Sequence, residues 1–225
     1  HINDLRDIRS PDESLYKLYN NMSQFQRSFT RMIDNLLVNI KTTLLYPFST
    51  VLDMMPKLVR DLSREQNKEI AFNILGKETE IDRRILEEMK DPLIHLIRNC
   101  IDHGLETPEE RIKEGKPPKG SLSIFIIQET NQQVMIIVSD DGCGIRKEKV
   151  LASAIKNGIV TEEASLNMTD QEVFALIFRS GISTSPFITD LSGRGLGMAI
   201  VSEKVVKLGG SISVDSTIGK GTTFT

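Results

Sequence analysis

DPLIHLIRNCIDHG, residues 91–104, decides the fold when it is read with two glycine runs downstream, SDDGCGI at 139–145 and SGRGLGM at 192–198. Each run supplies one part of what a magnesium nucleotide needs. The first is read as a helix carrying Asn99. Magnesium keeps most of its waters and takes one or two oxygen ligands from protein, so a single amide carbonyl on a helix can anchor it. In the second run Asp140 stands beside tight glycine turns, where a buried carboxylate can accept the exocyclic amine of an adenine in a charge-assisted hydrogen bond. In the third, Gly193-Arg194-Gly195-Leu196-Gly197 lies just ahead of the helical stretch MAIVSEKVVKL and can offer phosphates backbone N–H groups and a helix N-terminus. Taken in this order, the three runs predict an ATP pocket with Asn99 as the magnesium ligand.

Composition bounds what such a pocket can belong to. At 225 residues the chain is read as one domain of about 180 residues with a helical appendage. Hydrophobic residues make up 39% with no Trp, and the longest apolar runs, SIFII, VMIIV and LIHLI, fall far short of the roughly 20 residues of a membrane span. No direct membrane insertion is expected. A net charge of −3 with interspersed signs gives no basic stripe, which argues against nucleic acid as a partner. Cys100 and Cys143 lie beside the two pocket motifs in no metal spacing, and both are expected to be reduced and buried, in a reducing cytoplasm. The chain starts at His1 without an initiator Met or signal peptide and stops inside the strand-like GTTFT, which reads as an excised fragment.

Along the chain, SPDES at 10–14 forms a helix start, with Ser10 as cap and Pro11 in the first turn. From there Leu15, Leu18, Met22, Phe25, Phe29, Met32 and Leu36 alternate three and four residues apart, the seam of a coiled coil or helical hairpin, and Ile33, Leu37, Ile40 and Leu44 form a second stripe. Dimerisation is the expected use of this seam; packing against the chain's own globular part is the alternative. Pro47 marks the exit from the helix. A second helical pattern runs from Leu52 to Gln66 and is expected to break near Pro56, and IAFNILG reads as a strand closed by Gly76. The Asn-bearing helix is expected over Asp82 to about Asp102. SLSIFIIQE and QVMIIVS, flanking Asn131, read as an antiparallel hairpin. Helices near 147–157 and 170–178 follow, and Gly209-Gly210 turns the chain into SISVDS and KGTTFT. Met54, Met55, Met89 and Met198 are read as core or gap fillers. The expected fold is an α+β sandwich, one mixed sheet with helices on one face, divided as 1–45 (helical) and 46–225 (ATP-binding).

These residues resemble the Bergerat-type ATP-binding fold shared by histidine kinases, gyrase-like topoisomerases and heat-shock chaperones. Within it, PFSTVLDMMPKLVRDLSREQNKEI, HLIRNCIDHGLETPEERIKEGKPPKG, SDDGCGI, SGIST and SGRGLGM resemble the catalytic domain of CheA-type chemotaxis histidine kinases over roughly residues 46–225. DHGLETPEERIKEGKPP is far more specific than a glycine pattern, because ATP binding in general does not require it. The preceding helix resembles the second helix of that family's dimerisation hairpin.

The resemblance implies roles residue by residue. Asn99 would hold magnesium, Asp140 would read adenine, and Gly142, Gly144, Gly193, Gly195 and Gly197 would shape the pocket and lid, with Leu196, Met198, Ser183 and Thr184 in the same motifs. His95 stands where many other histidine kinases have a Glu, one turn before Asn99. Residues four apart share a helix face, so His95, Asn99 and His103 can all point at one ligand, with Arg98 and Asp102 as a neighbouring pair. Arg194 and Lys149 are candidate phosphate cations, and a solvated charge is the alternative for each. Three positions depart from the family: Ser180 and Ile182, where Ser180-Gly181-Ile182-Ser183-Thr184 replaces its Pro-Gly-Phe-Ser-Thr run, and Ala199, which stands for its Asp after the final Gly-Met.

The implied reaction is transfer of the ATP γ-phosphoryl group to a histidine, with positioning and electrostatics carrying most of the catalysis. His95 could orient the acceptor or take up its proton. The three histidines are His1, His95 and His103, none a convincing phosphoacceptor, so the acceptor is expected on a separate domain. The implied partners are a second subunit through the helical domain, a response regulator, and a receptor or coupling protein reached through domains outside this chain. The alternatives are a nucleotide-sensing or degenerate scaffold of a signalling array, and another ATPase or kinase of the same fold.

Overall fold

The computed structural model describes residues 11–43, 45–129, 133–180 and 197–225. The chain divides into two compact units between Leu45 and Tyr46. In the first, α1 spans Pro11–Thr43. Its stripe residues Leu18, Met22, Phe25, Phe29, Met32 and Leu36 are all exposed, and the rings of Phe25 and Phe29 stack at 6.1 Å. The helix stops at Thr43, short of Pro47, where the exit was expected. Ser10, Leu44 and the side chains of Leu15, Leu37 and Ile40 lie outside what is described.

The second unit opens within β1 (Leu45–Pro47) and continues through α2 (Ser49–Leu52) and α3 (Met55–Glu65). Pro56 starts α3 rather than breaking a helix, because proline in a first turn removes only an N–H that has no intrahelical partner. Met55 is fully buried, but Met54 is 43% exposed at the N-cap and is no core filler. β2 (Ile70–Leu75) and β3 (Glu80–Asp82) follow, the latter paired with β1.

α4 (Arg83–Asn99) is capped by Asp82, whose carboxylate accepts the Arg84 N–H at 2.8 Å, and it carries Pro92 in its interior. Its buried face presents Leu86, Leu93, Leu96 and Ile97. The α geometry ends at Asn99, earlier than the expected Asp102. Cys100–Gly104 form a π turn, closed by the Leu105 N–H on the Cys100 carbonyl at 2.8 Å. α5 (Pro108–Lys113) precedes the central hairpin of β4 (Gly120–Gln128) and β5 (Val134–Asp140).

α6 (Lys147–Lys156), α7 (Glu162–Ser165), α8 (Asp170–Ala175) and a 3-10 turn at Leu176–Phe178 come next. The chain is described again from α9 (Gly197–Lys207) through β6 (Val214–Thr217) and β7 (Gly221–Phe224). Strand order is β2-β4-β5-β7-β6, with β2 and β4 parallel and the other neighbours antiparallel. Strand side chains alternate between faces, so the register that sets Leu122 opposite Asp140 and Ile124 opposite Val138 sends these, Ile126, Phe224 and Val214 into one core with the helices. Ser121, Ile127, Asn73 and Leu75 point the other way and are exposed. This is the α+β sandwich expected from the sequence. Among the described residues no helix is long and apolar enough to cross a membrane.

Candidate active site

Three elements supply the site: the end of α4, the end of β5 and the start of α9. Asp140 is the last residue of β5 on its inward face and is 6% exposed. Its Oδ1 accepts the Gly142 N–H at 2.9 Å. Burial pushes its carboxyl above the usual range, and the Gly142 N–H, the Cys100 thiol and the Thr222 N–H oppose that shift by bonding the charged form. Glycine is required at 142 because the chain passes against the π turn: a Cβ there would lie 2.0 Å from the Gly104 carbonyl oxygen and 2.9 Å from Asp140 Oδ1. Gly144 completes the turn at φ +75°.

Asn99 sits half-buried at the last α-helical position, and its amide nitrogen donates to Met198 Sδ at 2.9 Å. This leaves the carbonyl oxygen without a hydrogen-bond partner among the described residues. Met198 is thus a contact of Asn99 and not merely a gap filler. One turn earlier, His95 lies under the first residue of α9: a Cβ built on Gly197 would fall 2.0 Å from His95 Nε2. Burial, with the nearby Arg98 charge, holds the His95 imidazolium pKa below its ordinary value, so the ring is neutral at pH 7.

The π turn changes the face that the sequence predicts. It closes i→i+5 instead of i→i+4, so a residue four on from Asn99 no longer stands over it. The His103 ring is exposed, near enough for its charge to act on His95 but outside the α-helical register. Arg98 and Asp102 do not pair either. Arg98 is exposed, and the Asp102 carboxylate accepts from Gln66 Nε2 at 2.5 Å. Lys68, half-buried, donates to the Ile101 carbonyl and holds the π turn from behind. Lys149 is exposed on α6. Cys100 is buried and Cys143 only half-buried, both as free thiols. Ser183, Thr184, Gly193, Arg194, Gly195 and Leu196 lie outside the described residues.

One group of site residues was not foreseen. Thr107 and Glu110 form a capping box that starts α5, and this places Arg111 in the interior, 1% exposed. Its guanidinium donates to Glu106 at 3.1 Å, to Asp141 Oδ2 at 2.8 Å, to the Asp141 carbonyl at 3.2 Å and to the Pro117 carbonyl at 2.7 Å. Lys116 Nζ donates to Glu106 at 2.5 Å and to the Gly142 carbonyl at 2.9 Å. The Thr-Pro-Glu-Glu spacing could have revealed α5. Nothing in the sequence marks Arg111 as buried.

The donor set fits a magnesium nucleotide. Asn99 offers one amide oxygen. Asp140 offers a buried acceptor whose approach is kept open by Gly104, where a Cβ would stand 3.1 Å from Oδ2.

Comparison with known proteins places these features in context. Residues 88–225 match the family described as histidine kinase-, DNA gyrase B- and HSP90-like ATPase. The chain is 40% identical to the chemotaxis protein CheA of Bacillus subtilis, over 92% of its own length and 30% of that protein. It is 45% identical to CheA of Halobacterium salinarum, over 80% of its own length and 27% of that protein. The chain therefore spans about 30% of the length of these relatives. The crystal structure of full-length ShkA in complex with AMPPNP shares the fold at a TM-score of 0.51 and 20% identity, covering 80% of this chain and 30% of that one. The likeness to CheA-type kinases read from the motifs holds over most of the chain.

Proposed function

The chain belongs to the histidine kinase-, DNA gyrase B- and HSP90-like ATPase family, and on that premise we propose that it is the catalytic part of a CheA-type kinase, moving the γ-phosphoryl group of ATP to a histidine on a separate domain. The observation that carries this reading is the buried Asp140 carboxylate held by the Gly142 N–H, beside the π turn that follows Asn99.

In the proposed mechanism Asp140 accepts the adenine amine, and the Gly142 N–H fixes the carboxylate in orientation. Asn99 would hold magnesium through its carbonyl oxygen, and the ion would supply positive charge to the phosphates. The lid glycines 193, 195 and 197 offer backbone N–H groups to the phosphates, and Arg194 adds charge. The acceptor imidazole attacks through its unprotonated nitrogen. A P–N bond forms, the bond to the ADP oxygen breaks, and the proton on the other ring nitrogen passes to neutral His95. Lys149, being solvated, is the weakest member of this set, and the exposed His103 is proposed as a contact at the rim.

The proposed partners follow from the same reading: a second copy through the exposed face of α1, a phosphoacceptor domain, a response regulator, and a receptor or coupling protein reached through other domains, all in the cytoplasm. The test mixes this chain with a separate phosphoacceptor domain and labelled ATP. Acid-labile phosphate on histidine is the expected product. Phosphate released only into solution would make the chain an ATPase.

A further inference from the structure

We infer that Lys116 and Arg111 are positioning residues for base recognition, acting through the Asp141–Gly142 peptide on Asp140; this rests on the nucleotide reading proposed above. The segment that carries them, LETPEERIKEGKPP, lies wholly outside the phosphate, metal and adenine motifs. Its two inward cations nevertheless converge on two successive peptides, Asp141–Gly142 and Gly142–Cys143. Arg111 binds the Asp141 carboxylate and carbonyl, and Lys116 reaches the Gly142 carbonyl and, at 3.4 Å, that of Asp141. Glu106 accepts from both cations and joins them into one network. The other Asp141 oxygen accepts the Ser121 N–H at 2.8 Å, tying the network to the start of β4.

The Asp141–Gly142 peptide, whose carbonyl both cations reach, is the one whose N–H holds Asp140 Oδ1, and Lys116 also holds the peptide that follows it through the Gly142 carbonyl. A carboxylate that reads an amine must present its lone pair in a fixed direction, because hydrogen bonds weaken steeply as they bend. Asp140 is buried and its position is set from the backbone side, so loss of the carbonyl clamps frees the turn that orients it. A purely structural network would lower stability and leave the choice of base unaltered.

The experiment compares wild type, Lys116→Met, Lys116→Arg, Asp140→Asn and the Lys116→Met/Asp140→Asn pair, each confirmed as folded by circular dichroism. The readouts are KM and kcat with ATP and with ITP, which carries a carbonyl where adenine has its amine. Lys116→Met should raise KM for ATP about tenfold, the size of one lost charge-assisted hydrogen bond. It should leave kcat at saturation little changed and reduce the preference for ATP over ITP, while Lys116→Arg restores both. In the Asp140→Asn background the Lys116 effect should vanish, because the two act through one contact. Additive effects with an unaltered ATP preference would overturn the inference. Asp140→Asn binding ATP like wild type would instead overturn the nucleotide reading itself, and is thereby told apart. Arg111→Lys repeats the test with the buried cation: it retains the charge but not the planar fork, and unchanged selectivity in a folded protein would count against the inference.

Discussion

Gly197 lies against His95 so closely that a side chain on the first would stand 2.0 Å from Nε2 of the second. The last glycine of the lid motif is therefore matched to a particular imidazole on α4. In an open helix, Gly→Ala stabilises by about 0.5–1 kcal/mol. Here Gly197→Ala should gain nothing or lose stability in wild type, and gain about that amount once His95 is Ala. Urea midpoints of the four proteins check this; an equal gain in both backgrounds would mean that the contact is not made.

Asp140→Asn should weaken ATP binding roughly 10- to 150-fold, the cost of a charge-assisted hydrogen bond of about 1.5–3 kcal/mol. The wild-type affinity should also fall on acidification at a pH above the usual carboxylate range, since burial raises this carboxyl. The same shift makes the folded state the better proton binder. Its contribution to stability is full below the unfolded pKa and is lost as pH rises through the raised value. Calorimetric titration against pH checks the binding limb, which Asp140→Asn should lack.

His95 is shifted the other way. Its imidazolium is disfavoured by burial and then by Arg98, so its stability contribution is present above the unfolded pKa and lost as pH falls through the lowered one. Phosphotransfer should hold its rate below the ordinary histidine pKa and fall only at more acid pH. Arg98→Ala should move that fall to higher pH, read by NMR titration of the His95 ring. His95→Gln should slow transfer with little change in ATP affinity.

Arg111→Met should cost about 3–5 kcal/mol in urea unfolding, because it removes the buried cation from a paired network, leaving Asp141 without an ion-pair partner among the described residues and Glu106 with Lys116 alone. That is a large part of the ~5–15 kcal/mol of an ordinary domain. A loss under 1 kcal/mol would mean that water reaches the network.

The stacked Phe25 and Phe29 are 70% and 54% exposed on α1. If that face holds a second copy, Phe25→Glu should shift sedimentation from dimer to monomer while leaving ATP affinity of the globular unit intact. An unchanged sedimentation profile would put the contact elsewhere.

The sequence by itself determined the layers and the order of the motifs. The apolar runs in SLSIFIIQ and VMIIVSD are a local signal of strands, and Asp140 was legible as the carboxylate that ends the second of them beside a glycine turn. Asn99 was legible as a helix residue for the same reason: helical spacing needs no partner to be read. Only tertiary structure decided what surrounds them. The π turn at Cys100–Gly104, which takes His103 out of register with Asn99, forms where Lys68 and Gln66 from another segment hold it. Arg111, in an acid-rich helix of six residues, looks solvated until Asp141 from the distant hairpin meets it. Long-range contacts of this kind leave no period in the sequence, because a guanidinium is stable in water or in a fully paired interior, and only the fold selects between the two.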